Sequence, residues 1–468
     1  MLKIYLDTNV YSQIAKDLVG NWMKELKSRA DKDLIFIYSQ AHLNDLNSDK
    51  TENKFKELSA IRNFAKNNFI HEDSIRNVIK NSLLYPEKAF ELYGGIQENV
   101  AGFMEDTFKE TGDPLVDGYL KLIKLQQIDL GQDIEKQLTD PKHSEAKKMY
   151  NDLGIYKRYY SMEEWMPIVS KMMSDFETDN NLIKSLRRQS MKHLDVEKLN
   201  IKIGDVNFDE NLTNSKLGKS FKEMLDQQIS WLPENNDTLF NRITIGYNML
   251  NFLGLDYEKN NKVKFKNTQN DGQHCYYGGT SDILVSNDNG LLSKSRFIYN
   301  YYKIDTKVMN MNQFEIYMQN YKSKYFSSEP LFLSSIEYDR FNSLILAEKR
   351  PIISHNQHEE IRALSQRYWG YFNRLSEVGS IDSNEKYLVL YKNDYRTGNI
   401  TFFKEIDAII EGISKMTNSR CNLLNEDDIE KICQGEWPGI LWETDSNSYW
   451  LRYNNETGRI GLQLGPVE

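Results

Sequence analysis

Short apolar runs punctuate a chain whose spacing is otherwise mostly helical. Leu2–Leu6, Leu34–Tyr38 and Ile283–Val285 are compact, rich in aliphatic side chains and closed off by polar residues, the pattern of strands buried in a parallel sheet. Between the first two, Ile14, Leu18, Trp22 and Leu26 recur at helical intervals over about residues 10–30, long enough for a right-handed crossover. Residues 1–73 therefore predict a βαβ unit, a further helix through Leu58, Ile61, Phe64 and Ala65, and a third strand at the sheet edge over Asn68–His71.

From 74 to 236 the apolar residues fall almost entirely at helical spacing, with breakers such as Gly112-Asp-Pro114 and Asp140-Pro141 between the periodic stretches. This predicts an all-α insertion of four to six helices. Residues 237–325 return to the mixed pattern: a helix capped near Thr238, a loop from Lys259 to Asp271, the Ile283–Val285 strand, a helix over Leu291–Tyr302 and a last strand near Thr306–Asn310. The texture changes again over 331–468. There Tyr387–Tyr391 and Ile400–Phe403 predict a hairpin, Ile406–Met416 a helix, and Ile440–Trp442, Tyr449–Tyr453 and Arg459–Leu462 a meander. The expected fold is α/β, a parallel sheet core flanked by helices and built from 1–73 and 237–325, with the all-α insertion and a C-terminal α+β domain.

The strands bring acids with them. Asp7 closes the first run, Asp282 opens the Ile283–Val285 run and Asp288 lies just past its end, so the pattern predicts carboxylates at the mouth of the sheet. In open α/β sheets that mouth is where ligands bind. Capping and turn formation are the ordinary uses of aspartate in such places, yet several acids in one cleft repel one another unless cations are bound. Asp7, Asp271, Asp282 and Asp288, with Asp45 as a fifth, are enough to hold Mg²⁺ or Mn²⁺, which take oxygen ligands and retain water. Thr8 and Asn9 are placed either to orient Asp7 or to cap the helix that follows it. His42 and His274 stand beside acids; packing and hydrogen bonding is the reading for both, with a contact to substrate as the alternative. Lys264 and Lys266 belong to the compact basic cluster near these acids, and could contact a phosphate backbone.

Ile4-Tyr-Leu-Asp7-Thr-Asn9, Tyr38-Ser-Gln-Ala-His42-Leu-Asn-Asp45 and Asp271…His274…Asp282…Val285-Ser-Asn-Asp288, taken in this order, resemble the motifs of PIN domains. The resemblance covers about 1–73 and 237–325. It implies a metal-dependent nuclease acting on single-stranded or structured RNA, with an acidic cluster that holds one or two divalent cations. Many PIN domains carry Glu where Asp45 stands. A large PIN protein further implies a toxin or antiviral defence effector. Two other readings share the sequence: an inactive PIN scaffold that binds RNA or protein, and a structure-specific DNA nuclease. In the insertion, Arg188-Gln-Ser-Met-Lys-His193 fits the Arg-x4-His spacing of HEPN ribonucleases, though a solvated basic face explains it as simply.

The composition narrows the partners. A net charge of −9 over 468 residues argues against a protein that coats nucleic acid through nonspecific phosphate contacts. It is compatible with a nuclease, because the catalytic acids contribute to it and their cations restore attraction locally. The acidic C-terminal domain suits a regulatory protein partner. Cys275, Cys421 and Cys433 are too scattered for a disulfide framework, no apolar run is long enough to cross a bilayer, and Met1-Leu-Lys opens a strand rather than a signal peptide. These features lead to the expectation of a cytoplasmic protein.

Overall fold

The computed structural model describes residues 1–30, 33–73, 78–93, 124–140, 144–178, 207–215, 217–230, 236–253, 265–321, 323–346, 360–379, 386–392, 401–454 and 459–467, with Ile203 and Leu232 between them. They divide into two compact units. One comprises Met1–Gly94, Asn235–Thr244 and Gln273–Glu468; the other comprises Gly95–Glu234 and Ile245–Gly272.

The first unit begins with β1 (Leu2–Leu6), α1 (Thr8–Ala15), α2 (Trp22–Arg29), β2 (Leu34–Ser39), α3 (Gln40–Ser48), α4 (Asn53–Ala65), β3 (Phe69–Asp73), β4 (Val78–Asn81) and α5 (Pro86–Tyr93). In the second unit, β5 (Gln127–Asp129) pairs antiparallel with β6 (Tyr159–Ser161), with helices Gln132–Thr139 and Ser144–Asp152 between them and Met162–Thr178 after. The first unit resumes with β7 (Ile283–Val285), helix Asn289–Tyr302 and β8 (Lys307–Met309).

These strands make a sheet of order β4-β3-β2-β1-β7-β8. All neighbours are parallel except β3 and β4, with Leu2 opposite Leu34 and Ile4 opposite Ile283. The strict alternation of a strand sorts β1: Leu2, Ile4 and Leu6 enter a core with Phe36, Leu58, Ile61 and Phe64, whereas Tyr5 turns to the opposite face. From β1 the chain runs to β2 on one side, and from β7 to β8 on the other. The carboxyl ends of β1 and β7 therefore border a crevice where the connections diverge, the usual ligand position in such sheets.

The rest of the first unit is a second sheet. Its strands are β9 (Ser323–Lys324), β10 (Ile345–Leu346), β11 (Glu360–Tyr368), β12 (Phe372–Gly379), β13 (Lys386–Tyr391), β14 (Ile440–Glu443), β15 (Ser448–Asn454) and β16 (Arg459–Val467). Seven run in the order β10-β11-β12-β13-β16-β15-β14, and β9 joins β11 in parallel. Helix Phe402–Met416 lays Ile406, Ile409, Ile410 and Ile413 on this sheet, a periodic apolar stripe. Gly412 makes the close approach possible, since a Cβ there would clash with the Trp369 ring.

Several expectations need correction. The crossover from β1 to β2 uses two helices, and Asn68–His71 is not the edge, because β4 pairs beyond β3. The stretch expected to be all-α contains β4 and the β5–β6 pair. Phe402 and Phe403 begin a helix, so β13 makes its hairpin with β12 instead. Asp271 lies in a helix, Phe265–Gly278, rather than at the end of a loop. The described residues of 331–468 fall in the same compact unit as the parallel sheet. Arg188, His193 and Lys264 lie outside the described residues.

Candidate metal-binding crevice

Asp7 is delivered by the central strand. Its backbone N–H donates to the Val285 carbonyl at 2.9 Å and its own carbonyl accepts from Val10, which seats it at the start of α1. Its carboxylate does not cap that helix. One oxygen accepts instead from the Asn9 amide and from the Ser286 hydroxyl, the latter at 2.7 Å. Ser286 follows β7 directly, so both strand ends hold the same carboxylate. This orienting role was one of the two readings open for Asn9.

Asp45 comes from α3. Ser39 caps this helix, and His42 completes a capping box by accepting from the Ser39 backbone N–H through Nδ1 at 3.0 Å. With Nδ1 an acceptor, Nε2 carries the hydrogen and donates to the Leu6 carbonyl at 2.7 Å. His42 thus locks the end of β1 to the start of α3. Burial, with His274 nearby, pushes it down to about 3, and it stays neutral at ordinary pH. Asp45 is three residues further along the same helix face and reaches the crevice one third exposed, at 34%.

His274 stands between the two acids. It is 1% exposed, with Nε2 at 3.0 Å from Asp45 Oδ2 and 3.7 Å from Asp7 Oδ1. Carboxylates only accept, so Nε2 bears a hydrogen in this arrangement. On the far side, Nδ1 is 2.8 Å from the Tyr5 hydroxyl, which is 2.7 Å from Ser39 Oγ. Thr8 stands 3.4 Å from Nε2 and also hydrogen-bonds Asp45. Burial raises Asp7 above the usual carboxylate range against the pull of His274 and Ser286. Burial would raise Asp45 too, but the hydrogen bond from His274 and its charge bring it below that range.

Ligand atoms of Asp7, Asp45 and His274 all lie within 4.8 Å of one another, a spacing that one metal ion can span. The donor set fits such an ion. Two oxygens and an imidazole nitrogen suit Mn²⁺ and its neighbours as well as a harder cation. A cation held by all three would take the place of the hydrogen on Nε2. His274 would then donate from Nδ1 to Tyr5, the arrangement usual for a metal-bound histidine.

The remaining acids stand elsewhere. Asp288 caps helix Asn289–Tyr302, one oxygen accepting from Gly290 and Leu291 at 2.7 and 3.0 Å. It is near enough for its charge to raise Asp7 but is outside the tight group. Asp282 lies at the amino end of β7, beside Lys3, where it accepts from the Lys3 backbone N–H at 2.8 Å and pairs with Arg367 at 3.0 Å. The sheet thus separates it from Asp7 by the length of the strand, contrary to the expectation of a common mouth. Asp271 is three residues ahead of His274 in the same helix, within the second unit, and is not part of the group. Lys266 falls in that helix as well.

His42 is buried and hydrogen-bonded, whereas His274 stands among the acids as a candidate ligand, a role the packing reading does not anticipate. Tyr5, Ser39 and Ser286 were also missed. Ser39 had a readable signal, because a serine three residues before His42 at the end of a strand has capping-box spacing. Tyr5 had a weaker one, an aromatic hydroxyl two residues before Asp7 on the same strand face.

No family model, curated protein or solved structure matches the chain.

Proposed function

We propose that this protein is a divalent-metal-dependent phosphodiesterase that cuts RNA internally, an endoribonuclease of PIN type. The observation that supports it most is the convergence of Asp7, Asp45 and His274 at the crevice between the carboxyl ends of β1 and β7. The PIN-like motifs include all three residues, and RNA as the substrate follows from that resemblance.

In this reading Asp7, Asp45 and His274 hold Mg²⁺ or Mn²⁺. The ion's chemistry is to polarise a phosphoryl oxygen and to make a water a stronger nucleophile. The chain's part is placement. Asn9 and Ser286 fix one oxygen of Asp7, Tyr5 fixes His274, and the hydrogen-bonded capping of α3 fixes Asp45. Hydrolysis adds the water oxygen to phosphorus and breaks one phosphorus–oxygen ester bond. The departing oxygen takes up a proton.

The test is cleavage of labelled total RNA, single-stranded DNA and duplex DNA in Mn²⁺, in Mg²⁺ and in EDTA, comparing wild type with Asp7→Asn. The expected result is metal-dependent cutting of RNA that the variant lacks while its unfolding midpoint is kept. Cutting of DNA alone would move the reading to a DNA nuclease. Absence of both cleavage and Mn²⁺ binding would replace the enzyme with a binding scaffold.

A further inference from the structure

At the opposite end of the same sheet the first unit contains a cavity of about 510 Å³, between the amino ends of β7 and β8 and strands β11 and β12. Its size falls in the range of small-molecule sites. Parallel pairing of Ser323 with Arg367 and of Lys324 with Tyr368 ties β9 to β11 and sets this wall in place.

The wall is cationic. Lys307, Arg367 and Arg374 line it, against Asp282 and Asp305. Behind it, Lys392 is 3.9 Å from Asp282 and 3.4 Å from Glu405, and Lys3 is 3.9 Å from Glu405. Wall and backing together hold five lysine and arginine side chains and three carboxylates among the described residues, with the Met1 amino group 3.1 Å from Glu405. Burial and the nearby Arg367 pull the Lys307 ammonium below its ordinary value, which a bound anion would reverse. Guanidinium groups match phosphate oxygens in geometry as well as in charge.

Two further observations point to a ligand larger than a bare anion. Ser281 is on the wall, 5% exposed, and its hydroxyl has no hydrogen-bond partner among the described residues. A buried hydroxyl left without a partner costs about 1–3 kcal/mol, and a polar ligand group could relieve that cost only if this wall shifts to uncover the oxygen. Tyr317 and Tyr321 also line the cavity, their rings nearly parallel at 24° and 6.0 Å apart, and the Lys307 ammonium lies 4.8 Å from the Tyr317 centroid. Their rings border the cavity beside the cations, with Lys307 over Tyr317 and Arg29 over Tyr321, and ring surface of this kind stacks on nucleobases of any identity.

We infer that this cavity binds a mononucleotide, its phosphate on Arg367, Arg374 and Lys307 and its base against the tyrosines. The inference does not depend on the nuclease reading, since no residue of the metal crevice is used.

Calorimetry on the full chain in EDTA tests it, with AMP, GMP, ATP, adenosine and inorganic phosphate as probes. The expected result is saturable binding of at least one nucleotide. Adenosine and inorganic phosphate should each bind about tenfold or more weakly than that nucleotide. Arg374→Gln and Lys307→Gln should each weaken nucleotide binding by about tenfold with the unfolding midpoint unchanged, and Asp7→Asn should leave it intact. No saturable binding of any nucleotide at millimolar concentration would overturn the inference. So would nucleotide binding that both cavity variants retain in full.

Discussion

The Tyr5 hydroxyl lies 2.8 Å from His274 Nδ1, so the central strand sets the orientation of the imidazole that faces Asp45 and Asp7. Removing that hydroxyl separates orientation from ligation. Tyr5→Phe should keep the fold, lose about 1–3 kcal/mol by leaving His274 Nδ1 without its partner while Ser39 keeps its cap bond from Ala41, and weaken Mn²⁺ binding by about tenfold or more. Calorimetric titration with Mn²⁺, beside urea unfolding, measures both. Unchanged Mn²⁺ affinity would show that the Tyr5 hydroxyl does not orient a metal ligand.

Asp282 separates the two ends of the sheet. Asp282→Asn breaks a half-buried pair with Arg367 and should cost about 2–3 kcal/mol in urea unfolding while Mn²⁺ affinity stays as in wild type. Loss of metal binding in a folded Asp282→Asn protein would return this residue to the metal site.

Asp288 distinguishes a cap from a ligand. Asparagine caps helices as well as aspartate does, whereas alanine at this position costs about 1 kcal/mol. Asp288→Asn should therefore match wild type in stability and Asp288→Ala should not. If RNA cleavage falls in both variants, the charge of Asp288 serves the reaction as well as the helix.

Glu405 makes stability depend on pH. Burial alone would raise its carboxyl, but Lys392, the chain's amino group and Lys3 pull it down to about 2. A carboxylate lowered in the folded state stabilises the fold above its unfolded value, near 4.5, and loses that contribution as pH falls toward 2. The loss should reach about 3 kcal/mol over that window. Glu405→Gln should flatten this part of the curve and be less stable at neutral pH, where Lys392 and Lys3 would be buried without their carboxylate. Thermal unfolding from pH 2 to pH 7 reads both effects.

Much of the parallel sheet was legible because β1, β2 and β7 are buried on both faces and so appear as apolar runs with polar ends. Asp7 was legible for the same reason, closing such a run. The direction of Asp282 was not. Apolar runs mark that a strand exists, but whether Asp282, which opens its run, shares a mouth with Asp7, which closes its own, depends on the direction of pairing, and the two strands pair parallel with Ile4 against Ile283. His274 was hard to assign because a histidine near acids has the same sequence whether it packs or binds. Strands β11 and β12 escaped notice because their pairing shifts register between Ala363 and Tyr368, which blurs the alternation. A phenylalanine pair such as Phe402 and Phe403 suits strand or helix alike, and the stripe through Ile413 decides for the helix only over a longer window.

The pairing of β1 with β7 also fixes an order of events during synthesis. Lys3 and Asp282 are hydrogen-bonded across 279 residues, so β1 waits for its inner neighbour until most of the chain has been made. At roughly 5–20 residues per second, that wait is on the order of tens of seconds. Throughout it Asp7 and Asp45 exist without His274, and one long edge of an apolar strand stands open. The ribosome thus releases the acids early and the histidine late, so a chain that stops short of His274 carries an exposed edge and lacks one of the three candidate ligands.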